Sequence, residues 1–105
     1  MSLPQREHPE AAAELDAAAH WYEDREQGLG DSLLDAATAT RQSISEWPRA
    51  WPQYSGWDRG PLVRTKGIDG FPYRIVYFVT DDELVIVAYA HESRRPGYWI
   101  GRLDS

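Results

Sequence analysis

The sequence predicts an α+β fold: an N-terminal antiparallel helical hairpin packed on one face of a small antiparallel sheet of three to four strands. Three observations predict it. Apolar residues recur at three- and four-residue spacing as far as Trp47, and beyond Pro48 the period changes to two. Short turn-forming stretches, "QGLG", "GIDG" and "DD", separate the periodic segments.

The first helix is expected over residues 9 to 26, "PEAAAELDAAAHWYEDRE". Pro9 suits the first turn, Glu10 and Glu14 suit the positive end of the helix dipole, and alanine dominates. Ala12, Leu15, Ala18, Ala19 and Tyr22 trace its apolar stripe, and Glu10, Glu14, Asp16, Glu23, Asp24 and Glu26 read as a solvated face. After "QGLG", Asp31 or Ser32 is the expected cap of a second helix, in which Leu33, Leu34, Ala37, Ile44 and Trp47 recur until Pro48 ends it. The short connection makes the two an antiparallel pair.

Residues 48 to 60, "PRAWPQYSGWDRG", read as a loop whose aromatic residues serve packing rather than base stacking. "PLVRTK", "FPYRIVYFVT" and "ELVIVAYAH" are rich in Val, Ile, Tyr and Phe and read as an antiparallel meander, with a short strand within residues 3 to 8 as the candidate fourth. Asp58 and Asp69 fall in turns. An even-numbered loop at "TDDE" places residue 78 opposite 85, 76 opposite 87 and 74 opposite 89. Arg74, Tyr89 and His91 would then share the face away from the helices, while Tyr73, Ile75, Tyr77, Leu84, Ile86, Ala88 and Ala90 lie beneath them. That outer face is expected to be wet, partner-bound or functional. Alternation also puts Arg64 and Lys66 together, with their relation to Arg74 left open by Pro72.

Composition narrows the function classes. At 105 residues one domain is expected, burying roughly two-thirds of the surface its unfolded chain would expose. No cysteine is present, which excludes disulfides, thiolate metal sites and cysteine nucleophiles. His8, His20 and His91 lack metal-ligand spacing, and no metal or cofactor is expected. No apolar run approaches the ~18 residues of a membrane span, and "MSLPQREHPE" has no apolar signal core, so a cytoplasmic protein is expected. The net charge of −6 is uneven: residues 1 to 50 carry four Arg against ten acids, and residues 51 to 105 balance seven cations against seven acids. Arg59, Arg64, Lys66 and Arg74 form one basic group, and Arg94, Arg95 and Arg102 another. Such groups can contact phosphates or acidic side chains, but the net acidity denies the chain the general field that draws in nucleic acid.

The order of elements, with "GLG" between the helices, "WP" after the second, "PYRIVYFV" on a central strand and "AHESRRPGYW" after the last, resembles the RelE/ParE superfamily of type II toxin–antitoxin toxins, including its plasmid-stabilisation branch. The resemblance covers about residues 8 to 102 and implies a toxin neutralised by a cognate antitoxin. RelE-like members cut messenger RNA on the ribosome; ParE-like members inhibit DNA gyrase. On the nuclease pattern the resemblance implies catalytic roles for Arg74, His91, Arg94 and Tyr98, and substrate binding by Arg64, Lys66 and Arg95. The net acidity, and Glu92 within the tail, favour the gyrase-directed action; an RNA-cleaving enzyme and a non-toxic interaction module are the alternatives. Expected partners are the antitoxin and either gyrase or the ribosome with its message, with no membrane. A homodimer and a hetero-oligomer with antitoxin both stay open as assemblies.

Taken alone, each of these residues has a plainer reading. His91 is either a general acid or base, with an ordinary pKa near neutrality, or a histidine hydrogen-bonded at a strand end. Arg94 and Arg95 would grip phosphate or, by preference, pair with acidic side chains of the chain or its antitoxin. Arg74, within an apolar strand, is expected to have a carboxylate, phosphate or carbonyl partner.

Overall fold

A computed structural model describes residues 3–57 and 60–104. The chain runs β1 (Gln5–Glu7), α1 (Pro9–Arg25), α2 (Leu29–Glu46), β2 (Val63–Gly67), β3 (Tyr73–Val79), β4 (Leu84–His91) and a terminal 3-10 helix (Ile100–Asp104). Asp58 and Arg59, read above as part of a turn and of a basic group, lie outside the described residues. Strand order is β1-β4-β3-β2, with β3 antiparallel to both neighbours and β1 parallel to β4. The sheet is therefore mixed rather than wholly antiparallel. The long connection through both helices and two strands lets the chain enter β4 in the direction of β1, which a tight hairpin could not do.

Local chemistry fixes the helices. The His8 ring accepts from the Glu10 amide at 3.1 Å and Pro9 occupies the first turn, so α1 starts with one orphan donor satisfied and one removed. The α2 helix begins at Leu29, ahead of the expected caps, with Gly28 as its N-cap at φ 89°. The cap is supplied from α1: the Glu23 carboxylate accepts from the Gly28 and Gly30 amides at 2.9 and 3.0 Å. A Cβ on Gly30 would sit 2.6 Å from the Ala19 carbonyl oxygen, so glycine there lets the two helices touch. Leu33, Ala37, Thr40 and Ile44 form the buried stripe of α2, whereas Leu34 and Trp47 turn to solvent. Leu34 stands one residue off the stripe, about 100° around the helix, and Trp47 lies past its last turn.

The helices cover one sheet face, where Ile75, Tyr77, Leu84, Ile86 and Tyr89 meet Ala11, Ala18, Leu33 and Ile44. The other face is not bare, contrary to expectation. Val63, Val76, Phe78, Val85, Val87 and Ala88 lie under Trp57 and Trp99, the latter only 2% exposed. Trp99 packs edge-on against Tyr54, with ring centroids 4.9 Å apart, and tilted against Trp57 at 6.2 Å. Six apolar strand side chains would otherwise form an apolar patch in water, and burying one large aromatic over them is worth about 3 kcal/mol.

Register decides which side chains meet. The "TDDE" turn is even, and Val79 and Phe78 pair with Leu84 and Val85 as expected. One step further the ladder slips: Tyr77 pairs with Ile86, but Val76 pairs with Ala88, leaving Val87 as the extra residue of a β-bulge. Val87 and Ala88 both join the tail-covered cluster. Beyond the bulge every β4 side chain exchanges faces, so Tyr89 and His91 lie on the helix side and Ala88 and Ala90 on the other.

Candidate functional site

The bulge separates residues expected to converge. Arg74 pairs with Ala90 and lies on the tail-covered face, where its guanidinium donates to Thr65 Oγ1 at 3.2 and 3.3 Å. It is exposed, at the second residue of the strand rather than in its buried middle, so water relieves the need for a carboxylate partner. His91 pairs with Tyr73 on the helix side, the rings edge-to-face at 5.0 Å. Its Nδ1 is engaged locally, accepting from the Ser93 amide at 3.0 Å with the Ser93 hydroxyl at 2.7 Å. The shared face expected for Arg74, Tyr89 and His91 is thus corrected by one inserted residue.

Arg64 and Lys66 also part from Arg74. Their cross-strand neighbours are Tyr77 and Ile75, both on the helix side, while Thr65 faces the tail. The Arg64 guanidinium donates to the Trp51 carbonyl at 2.7 Å, and the Lys66 ammonium stands 4.1 Å from the centroid of the Trp51 ring. These contacts bind the 48–54 loop to β2 and leave the two cations partly buried.

After β4 the tail turns back along the strand edge. The Arg94 guanidinium stacks on the Tyr98 ring at 4.0 Å, and Arg95 is exposed with no polar side-chain partner among the described residues. Tyr98 is held by a residue that sequence reading left as solvated surface. Its hydroxyl donates to Glu14 Oε2 at 2.6 Å, while Arg102 donates to Glu14 Oε1 at 2.9 Å and Oε2 at 3.1 Å. Burial, the Glu14 hydrogen bond and its charge push the Tyr98 phenol well above its ordinary value. Burial alone would lower Arg102, but the Glu14 hydrogen bond and charge outweigh it and raise it.

Glu14 and Arg102 do a strand's work. β1 pairs with β4 only as far as Ile86, beyond which the β4 edge would present unpaired groups. The Tyr89 amide donates to Glu14 Oε1 at 3.1 Å and the Val87 carbonyl accepts from Arg102 at 3.0 Å. The signal for Glu14 was legible: it stands three residues after Ala11 and four before Ala18, both buried, so it shares their face of α1.

Two depressions result, one on each side of the end of β4. A groove of about 470 Å³ lies on the helix side, with Ala17, Trp21, Tyr22, Tyr73 and Tyr89 among its walls. A smaller concavity of about 200 Å³ lies on the tail side, where Arg74, Arg94 and Arg95 surround Thr65, Tyr54 and Trp99. His91 and Arg94 border both. The tail side can hold anions; the imidazole stands at the border, its ring packed edge-to-face on Tyr73 of the helix side. Among the described residues no group of His, Asp and Glu is arranged to hold a metal ion, and no helix is long and apolar enough to cross a membrane.

Against this geometry, a family model described as "ParE toxin of type II toxin-antitoxin system, parDE" matches residues 6–96. A solved chain of the "Chromosomal ParDE TA system from P. aeruginosa" superposes with a TM-score of 0.62 at 19% identity, covering 86% of this chain and 96% of that one. At that identity the likeness shows the fold. Comparison with curated protein sequences gives no match.

Proposed function

This chain belongs to the ParE family of type II toxin–antitoxin toxins, and from that premise we propose that it acts in the cytoplasm by inhibiting DNA gyrase and is held inactive by a cognate antitoxin. The observation that carries this reading is the separation of Arg74 from His91. Proton transfer in RNA cleavage needs acid, base and charge-stabilising groups within about 3 Å of the reacting atoms. Here the guanidinium and imidazole leave opposite faces of the sheet, and the Tyr98 hydroxyl is committed to Glu14. The pattern supports a toxin that works by binding. Net acidity supports it too, since a charge of −6 opposes approach to ribosomal RNA.

RelE-like cleavage is the second reading, and one feature favours it: Arg74, Arg94 and Arg95 surround a single concavity bordered by His91 and Tyr98. In that reading Arg74, His91, Arg94 and Tyr98 carry the chemistry while Arg64, Lys66 and Arg95 bind the message. Induction in a bacterial host, with message ends mapped and purified gyrase assayed for supercoiling, separates the two. Growth arrest with lost supercoiling and intact messages is expected. Cut messages with undisturbed gyrase would move the assignment to the nuclease, and absence of any growth effect would move it to a non-toxic interaction module.

A further inference from the structure

The two depressions at the end of β4 differ in chemistry and are joined by shared borders. The helix-side groove is walled largely by aromatic rings and by Ala17 on the exposed side of α1. Its carboxylate, Glu14, is already engaged by Arg102, Tyr98 and the Tyr89 amide, so the groove offers an apolar wall with no unpaired acid. The tail-side concavity carries three guanidiniums, and Glu92 is the acidic side chain among its described walls. Among the described residues Arg74 has a hydroxyl as its polar side-chain partner and Arg95 has none, while Arg94 has a ring face. His91 and Arg94 form the ridge between them.

We propose that a single extended segment of the antitoxin crosses this ridge, seating a large apolar side chain in the helix-side groove and carboxylates among Arg74, Arg94 and Arg95. This inference rests on the toxin–antitoxin reading above and names the chemistry of the partner. Crossing a sheet's thickness of about 10 Å takes three or four residues of extended chain at about 3.3 Å each, so the apolar anchor and the acids are that far apart in the segment. Carboxylates suit the concavity better than a nucleic-acid backbone. Guanidinium forks bind them in pairs of parallel hydrogen bonds, and a chain of net charge −6 repels a polyanion at long range while still accepting a local acid. The apolar anchor supplies area and the guanidiniums supply register and association rate.

The test uses the full chain and the purified antitoxin encoded beside it, with affinity measured across a salt series. Arg74→Gln with Arg95→Gln removes two of the three guanidiniums from the concavity and Arg95→Gln alone removes one; Ala17→Trp fills the groove. All three positions are exposed, and unchanged thermal melting confirms that each variant folds. The double charge variant is expected to weaken binding about tenfold or more at low salt and to flatten the salt dependence, with Arg95→Gln intermediate. Ala17→Trp is expected to weaken binding about tenfold with the salt slope kept. Wild-type affinity in both the groove and the charge variants overturns the proposal and leaves the toxin–antitoxin reading standing. It is equally overturned if the arginines matter only for a duplex DNA probe and not for the antitoxin. An antitoxin that fails to bind the unaltered chain removes the parent reading along with it.

Discussion

Glu14 shows how one side chain can take over a structural role that the backbone leaves vacant. Its carboxylate satisfies the Tyr89 amide, anchors the Tyr98 hydroxyl and pairs with Arg102, and both ionic partners are nearly buried, with 16% and 11% of their side chains exposed. Removing one partner of such a pair strands the other, so Glu14→Ala is expected to cost about 3 kcal/mol in urea denaturation. Glu10 also approaches Arg102, at 3.7 Å, but its side chain is 67% exposed, and Glu10→Ala should cost no more than about 0.5 kcal/mol. Equal losses for the two would show that Glu14 is an ordinary surface acid. Tyrosines buried around the same elements couple the fold to alkaline pH. Burial pushes Tyr77 up to about 12, and burial with carboxylate hydrogen bonds raises Tyr89, through Glu7, and Tyr98, through Glu14. Each binds its proton more tightly folded than at the ordinary value of 10.0 in an unfolded chain. Their contribution is therefore whole below pH 10 and is lost as pH climbs through the folded values. Tyrosinate absorbance should lag until far-ultraviolet circular dichroism collapses, after which the remaining tyrosines ionise together. A smooth rise centred near pH 10 with the dichroism intact would contradict the burial assigned to these rings.

The helices and the three long strands were legible because each carries a periodic apolar pattern, and the turns because glycine and aspartate punctuate them. Where two phases of a pattern were equally apolar, the sequence could not discriminate. "VIVAYA" in β4 reads as a buried run whichever way it alternates, so the residue inserted at Val87 left no mark and the faces of Tyr89 and His91 were misassigned from it onward. The parallel pairing of β1 was hidden for another reason: three residues, Gln5 to Glu7, have poor strand propensity, and β4 together with Arg41 of α2 holds them in place. The helical hairpin permits a direct test. Gly28 and Gly30 are two residues apart and serve different ends, one supplying a left-handed cap and the other a close approach. Gly28→Ala meets no neighbouring atom and should cost about 1 kcal/mol from backbone strain. Gly30→Ala places a methyl group against the Ala19 carbonyl oxygen, a backbone atom that cannot rotate away, and should cost about 2 to 3 kcal/mol. Denaturant midpoints rank the two; Gly30→Ala as the milder change would mean the helices are free to separate.

Considered together, the elements form a sheet covered on both sides, by the helix pair on one and by the tail with Trp99 on the other. What reaches solvent at the end of β4 is therefore two distinct surfaces meeting at a ridge, and the site anticipated from sequence was distributed between them. Arg94 and Arg95 were legible as a pair because they are adjacent in the chain; that Arg74 joins them rather than Arg64 and Lys66 was not, because it depends on the β2–β3 register and the tail's return path, and its separation from His91 depends on the bulge. This division yields a functional prediction for the gyrase-directed reading. Groups that act on one bound atom fail together: once either is lost, losing the second adds little, as in catalytic sets generally. Groups on separate surfaces contribute independently, and their effects multiply to within about a factor of two. Arg74→Ala, His91→Ala and the double variant should be compared by the concentration of each needed to halve gyrase supercoiling, with thermal melting as the control for folding. The double variant is expected to show the product of the two single effects. A double variant no worse than the weaker single would place the guanidinium and the imidazole on one reacting centre, and the binding-only mechanism would have to be abandoned.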